Sequence, residues 1–225
     1  MPEQEFLSVD EAYNRWSPFY DTYANPMVFM ASEIVRRSLF DVHGLSVFEF
    51  GCGTGRNLAM LESYGAKAAG CDLSPGMLEV AQSRVRDANL FRHDMRQPLP
   101  APDGAFDLAL FCLSLEHVED IGGPLREAMR ITRPGGRISV IEIHPYYSFT
   151  GTKAHFHTDG VEVHMPTYPH QFADYLNVFG ELGLAVAACR EWRPVDVGNP
   201  PPLQSAKRGP EVPITVEFAL RHAAR

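Results

Sequence analysis

Apolar and polar positions along this chain change period in a regular alternation. Over 27–40, Val28, Ala31, Ile34, Val35 and Leu39 keep helical spacing, and over 45–50 a short apolar run reads as a buried strand. The same exchange recurs: helix 56–64, strand 66–71, helix from Ser74-Pro75, strand 89–92, strand 106–113, helix 124–131 and strand 137–143. Ser74 suits an N-cap and Pro75 the first helical position. Met77, Leu78, Ala81 and Val85 form the apolar stripe behind them. Arg133-Pro134-Gly135-Gly136 marks a turn. Strands alternating with helices across short connections predict a doubly wound α/β fold, with a mostly parallel seven-stranded sheet and helices on both faces.

Outside 44–143 the pattern loosens. Residues 8–24 form an amphipathic, aromatic cap with Tyr13, Trp16, Phe19, Tyr20 and Tyr23. Residues 145–168 carry aromatics and histidines without a clear period, and read as an insertion over the C-terminal edge of the sheet. A helix over 169–182 follows, with Phe172, Leu176 and Phe179 on one face and Gly183 as its stop. Strands over 184–192 and 214–220 close the sheet. The connection between them is rich in proline and reads as a lid or a disordered segment. The expected organisation is one domain over 1–225: cap 1–43, binding core 44–143, substrate-side insertion 144–170 and C-terminal part of the sheet 171–225.

Composition narrows the function classes. Hydrophobic residues make up 45% of the 225, enough for a full core. The formal charge of −8 disfavours phosphate backbones, so nucleic acid is not an expected partner. The start is acidic and no apolar run is long enough for a bilayer, so neither a signal peptide nor a membrane partner is expected and cytoplasm is the default. Cys52, Cys71, Cys112 and Cys189 form no CxxC pair and read as reduced, small buried residues. The proline-rich loop is a candidate contact for a homodimer.

The chemistry gathers where the first core strand ends, in Glu49-Phe50-Gly51-Cys52-Gly53-Thr54-Gly55. Glycines at alternate positions let a ligand lie against bare backbone, and the following helix offers free N–H groups to an anion. Asp72 ends the next strand, where a carboxylate can accept from both hydroxyls of a ribose. Asp94 ends the third, placed to accept from an adenine amino group. Together they outline an adenosine carrying a 5′ substituent. The spacing G-x-G-x-G is not the dinucleotide G-x-G-x-x-G, and a P-loop's Lys-Ser/Thr ending is missing.

These motifs resemble those of the class I methyltransferases that use S-adenosyl-L-methionine (SAM), in their small-molecule, ubiquinone/menaquinone-biosynthesis-like branch. Besides the glycine loop, the matching stretches are Gly70-Cys71-Asp72-Leu73-Ser74-Pro75-Gly76-Met77-Leu78, His93-Asp94-Met95, Phe106-Asp107-Leu108, Leu115-Glu116-His117-Val118 and Arg133-Pro134-Gly135-Gly136. The resemblance is close over 45–143 and loose elsewhere. It implies SAM as cofactor and S-adenosyl-L-homocysteine (SAH) as product. By it, Glu49, Gly51, Gly53, Gly55 and Asn57 serve the methionine end, Asp72 the ribose, Leu73 and Met77 the adenine faces, and Asp94 with Met95 its edge. The backbone at Cys112 and Leu113 would meet the amino group. Tyr13 and Tyr20 resemble an aromatic cap whose faces favour a sulfonium; plain packing is the alternative for both.

Methyl transfer implies a small-molecule acceptor at an O, N or C atom. A general base would be a histidine titrating near neutrality. His144 and His117 follow strand ends facing the crevice, with His170 behind them. The alternative for each is a polar lining residue or a helix cap. His155, His157 and His164 crowd the same insertion, and Tyr146 and Tyr147 are further candidates for its lining. His155 and His157 would share one side of a strand. No metal is expected: some superfamily members use a Glu-x-x-Glu-His stretch, and here Leu113 replaces its first carboxylate. The competing functions are a SAM-binding protein that transfers no methyl, and a nucleotide-linked oxidoreductase.

Overall fold

The computed structural model describes residues 3–151 and 153–223. In chain order the elements are β1 (Glu3–Phe6), α1 (Val9–Trp16), α2 (Pro26–Ser38), β2 (Ser46–Phe50), α3 (Arg56–Ser63), β3 (Lys67–Asp72), α4 (Pro75–Arg84), β4 (Asn89–Arg92), β5 (Phe106–Cys112), α5 (Gly122–Ile131), β6 (Thr132–Ile143), α6 (Pro145–Phe149), β7 (His155–Thr158), β8 (Val161–His164), α7 (Phe172–Leu182), β9 (Leu184–Trp192) and β10 (Thr215–His222). Seven of the strands form one sheet in the order β4-β3-β2-β5-β6-β10-β9. Strands β4 to β6 run parallel, and β10 is antiparallel to both its neighbours.

The sheet is buried on both faces because its strands alternate between two cores. Phe48 and Phe50 of β2, with Phe111 of β5 and Phe218 of β10, meet Leu125 and Ile131 of α5 and Tyr175 and Phe179 of α7. Val47, Leu108 and Leu110 point the other way, onto Ile34 and Val35 of α2 and Leu61 of α3. The strand order turns back between β2 and β5. Carboxyl ends there open a crevice, the usual ligand site of an open α/β sheet.

The structure departs from the sequence pattern in five places. Residues 155–164 are a hairpin, closed by a two-residue turn with Asp159 and Gly160 both at positive φ. With β1, which pairs parallel to β8, the hairpin makes a second, three-stranded sheet. Its inner face, Phe156 and Val163, packs on the cap, where Trp16 stacks on Phe156 with ring centroids 4.7 Å apart. The 133–136 turn is absorbed into β6 as an irregularity: pairing jumps from Phe106↔Thr132 to Leu108↔Arg137. The proline-rich connection is no free lid. Its two 3-10 turns bring Leu203 and Ala206 into the core beside α2. Cys189 is exposed on β9, while Cys52, Cys71 and Cys112 are buried and free.

The fifth departure lies in α7. Leu176 is 50% exposed, and Tyr175, 2% exposed, takes the buried position between Phe179 and Phe218. Truncating a buried aromatic removes its transfer energy and leaves a void. Tyr175→Ala is therefore expected to lower stability to urea unfolding by about 3–5 kcal/mol, while Leu176→Ala changes it by less than about 0.5 kcal/mol. Equal effects would place the two side chains differently from the structure.

Candidate active site

The crevice holds a cavity of about 280 Å³, walled by the β2–α3 turn, the ends of β3 and β5, the loop after β4, the cap and the end of the insertion. Its floor is the glycine turn. Gly51, Gly53 and Gly55 all have positive φ, but their surroundings differ. A Cβ on Gly51 would come within 2.8 Å of the Ser114 Cβ and 3.1 Å of Met95 Cε, so bare backbone is required for that approach. A Cβ on Gly53 would meet nothing within 4 Å, consistent with its place in the cavity wall. A Cβ on Gly55 would meet Val85 at 2.9 Å and Ala81 at 3.0 Å, so this third glycine seats α3 against α4.

Asp72 braces the turn from the next strand. Its Oδ2 accepts from the Gly53 N–H and its Oδ1 from the Ser74 N–H, both at 2.8 Å. Each oxygen keeps a further lone pair. The cap is tied to the same place: Asn14 Oδ1 accepts from the Ser74 hydroxyl and the Gly76 N–H at 2.8 Å, and Asp21 joins the Thr54 hydroxyl and Arg84. Leu113, just past β5, sits at φ 55°, a strained choice for a branched side chain. Its N–H donates to the Ile141 carbonyl, and the next two N–H groups, of Ser114 and Leu115, donate to Glu142 Oε1 at 3.0 and 2.9 Å.

Burial dominates the electrostatics. Glu49 is pushed up to about 8 by burial, against the pull of the Asn57 amide that donates to its Oε1 at 2.7 Å. Glu142 is likewise pushed up to about 8 by burial and Glu116 to about 7. Asp72 is raised, since its desolvation outweighs the Ser74 and Gly53 N–H bonds. Asp94 is instead held low by the Arg96 guanidinium that chelates it. His117, its side chain 8% exposed, is lowered by burial and therefore neutral. Its Nδ1 donates to the Pro166 carbonyl at 2.8 Å, which leaves Nε2 to accept from the Tyr13 hydroxyl at 2.8 Å.

Residues 48–140 match the family profile described as Methyltransferase domain. Over 143 residues the chain is 33% identical to demethylmenaquinone methyltransferase of Tropheryma whipplei (strain Twist), an alignment covering 61% of this chain and 60% of that protein. It is 37% identical over 95 residues to malonyl-[acyl-carrier protein] O-methyltransferase of Serratia marcescens, covering 42% and 37% of the two chains. The chain thus spans less than two thirds of the length of these curated relatives. A S-adenosylmethionine dependent methyltransferase from Mesorhizobium loti has the same fold, with a TM-score of 0.69 at 23% identity, over 84% of this chain and 96% of that one. Residues 48–140 thus match a methyltransferase domain, and the chain shares the fold of a S-adenosylmethionine dependent methyltransferase.

The Mesorhizobium loti protein is S-adenosylmethionine dependent, and the unmet polar groups of the cavity described above suit a ligand of that chemistry. Glu49 Oε2 and Asn57 Oδ1 are buried without a hydrogen-bond partner, a demand that an ammonium satisfies. Arg56 lines the cavity at the first position of α3, its Nε buried and unpartnered, where a carboxylate would be met by both guanidinium and helix N-terminus. A methionine end carries both charges.

Of the residues singled out as cofactor-binding in this methyltransferase fold, Tyr13, Tyr20, Glu49, Gly51, Gly53, Asn57, Asp72, Leu73, Met77, Asp94, Met95, Cys112 and Leu113 line the cavity, and Gly55 does not. Of the three histidines proposed as base, His117 alone lines it. His144 is buried with Nε2 donating to Glu191 at 2.7 Å and Nδ1 capping α6, and His170 donates to the Val118 carbonyl at 2.7 Å. His155, His157 and His164 lie on the second sheet, and the Arg208 guanidinium covers the rings of Tyr146 and Tyr147 away from the cavity. Of these six histidines, then, only His117 reaches the cavity. The sequence reading overlooked Arg56, whose signal was a cation directly after the glycine loop, and Pro166 and Tyr168, for which no local signal exists.

The raised acids set a pH dependence. A carboxyl whose folded pKa lies above its unfolded value near 4.3 holds a proton that the unfolded chain has released, so stability falls as pH rises towards the folded value. Lowered His117 acts in the opposite direction, but only up to about its unfolded pKa of 6.5. Between about pH 6.5 and 8 the ligand-free protein is therefore expected to lose melting temperature, and a Glu49→Gln, Glu142→Gln double variant to lose less. Parallel curves across that window would remove the protons from these two groups.

Proposed function

We propose that this protein transfers the methyl group of SAM to a small-molecule acceptor, and that the acceptor enters beside the Tyr13–His117 pair. The observation that carries the reading is the conjunction, in one cavity, of a donor set fitted to an adenosyl zwitterion with a neutral histidine whose free nitrogen faces a tyrosine hydroxyl. Bound SAM supplies an electrophilic methyl on a sulfonium, and its transfer breaks the S–CH3 bond and leaves SAH.

The chain's own residues do the rest. Asp72 holds the ribose hydroxyls with the lone pairs that the Gly53 and Ser74 amides leave free. Glu49 takes the ammonium and Arg56 the carboxylate of the methionine end. Leu73 and Met77 lie along the adenine, and Asp94 accepts at its edge. Tyr13 and Tyr20 present ring faces to a cation, worth about 0.5–2 kcal/mol. Holding acceptor, methyl and sulfur in line supplies much of the rate. For an acceptor with an acidic X–H, Tyr13 Oη takes that proton while passing its own to His117 Nε2; the Pro166 carbonyl fixes the tautomer that makes Nε2 the receiving atom. The phenol by itself is held well above its ordinary pKa by burial, so it works as a relay rather than as a phenolate.

The relatives differ in acceptor, a demethylmenaquinone in one name and a malonyl-[acyl-carrier protein] in another. The walls on the acceptor side, from Val9, Pro166 and Tyr168, suit a flat or polar small molecule. The test is SAH formation with SAM and a panel of phenolic, amine and enolisable acceptors. One class is expected to raise turnover above the acceptor-free rate. With it, Tyr13→Phe and His117→Ala should each lower kcat about 10²–10⁴-fold, while Glu49→Gln acts chiefly on the KM for SAM. Tight SAH binding with no turnover on any class would replace this reading with a SAM-binding protein that transfers no methyl.

A further inference from the structure

The outer face of the three-stranded sheet carries a cluster that the cavity does not use. In the β7–β8 hairpin, His155 pairs with His164 and His157 with Glu162. Cross-strand partners share a face, and residues two apart share it too. Phe156 and Val163 take the inner face against Trp16 and Ala12, so three imidazoles and one carboxylate stand together on the outer one. One donor atom from each of His155, His157 and Glu162 lies within 4.8 Å of the others. His164 Nε2 is buried without a hydrogen-bond partner, 3.3 Å from Glu162 Oε1, and Phe6 of β1 stacks on its ring at 5.2 Å.

A second feature points to a ligand. His155 Nδ1 donates to the Lys153 carbonyl at 2.8 Å, which leaves Nε2 as a lone-pair donor in a fixed ring orientation. Metal-ligating histidines are held in this way, by a backbone carbonyl on the other ring nitrogen. The donors need to close only a little. Tetrahedral ligands on bonds of about 2.0–2.1 Å lie roughly 3.3 Å apart, and His157 is exposed and free to turn towards the others.

We propose that His155, His157, Glu162 and His164 bind one divalent transition-metal ion. Imidazole nitrogens with one carboxylate and no thiolate suit zinc, nickel, copper or ferrous iron, and not calcium or magnesium, which take oxygen ligands. This runs against the expectation of no metal drawn from the sequence, where only His155 and His157 could be paired by spacing. None of the four residues lines the cavity, so the ion is no Lewis acid for the transfer. It ties β7 to β8, and through Phe156 and Trp16 it stiffens the cap that carries Tyr13.

The test uses the full chain without an affinity tag, stripped of metal with a chelator and titrated with Zn²⁺ or Co²⁺ by calorimetry. The wild type is expected to bind one ion, and saturating Zn²⁺ to raise its melting temperature. His157→Ala and Glu162→Gln change an exposed and a half-buried side chain. Their metal-free melting temperature and circular dichroism should match the wild type, while each weakens Zn²⁺ affinity by about tenfold or more and the double variant loses the thermal shift. A wild type that takes up no ion overturns the proposal. So does undiminished affinity in variants that fold normally, since the ion would then sit elsewhere.

Discussion

One partly buried carboxylate organises the crevice. Asp72 stands at the tip of β3 and accepts an N–H from the glycine turn after β2 and another from the start of α4. It therefore fixes two neighbouring strand-to-helix turns relative to each other. The cap follows from this, because Asn14 accepts from Ser74 and Gly76 on the same turn that Asp72 holds. A lost partner for a buried amide costs about 1–3 kcal/mol, so the geometry of the floor and the position of the cap rest on the same group. It is also the group proposed above to hold a ribose with its remaining lone pairs.

The rest of the site repeats this use of desolvated acids. Glu142 reaches from β6 to hold the strained turn at Leu113 through two N–H groups, and Glu49 keeps one oxygen without a partner. Burying such groups is unfavourable unless a hydrogen bond or an opposite charge compensates. Here the compensation is incomplete: backbone amides meet both oxygens of Asp72 but only one of Glu142, and Glu49, proposed above to take an ammonium, likewise keeps its Oε2 unpartnered. The neutral His117, pinned between Pro166 and Tyr13, stands at the border between that seat and the walls contributed by the cap and insertion.

How much of this was legible in the sequence follows from how local each signal is. The glycine turn, the Ser74-Pro75 helix start and the strand ends at Asp72 and Asp94 are written in adjacent residues, and caps and turns obey short-range chemistry. The second sheet was not legible in the same way. Strand β1 has four residues, and in the β7–β8 hairpin polar histidines hide the alternation, although Asp159-Gly160 is itself a hairpin signal. The histidines misled for a related reason. Closeness along the chain suggested closeness in space, but a strand sends neighbours to opposite faces, and His144 and His170 are occupied in holding Glu191 and the Val118 carbonyl. In α7 the error was one position, since Tyr175 and Leu176 differ by only 100° around a helix.

The central claim is that the braced glycine turn and its acids form a seat for an adenosyl group bearing a methionine, and for no dinucleotide. Calorimetric titration of the folded protein with SAH and, separately, with NADH tests it most directly. One SAH per chain with no measurable heat from NADH is the predicted result; NADH binding, or correctly folded protein that ignores SAH, would contradict it.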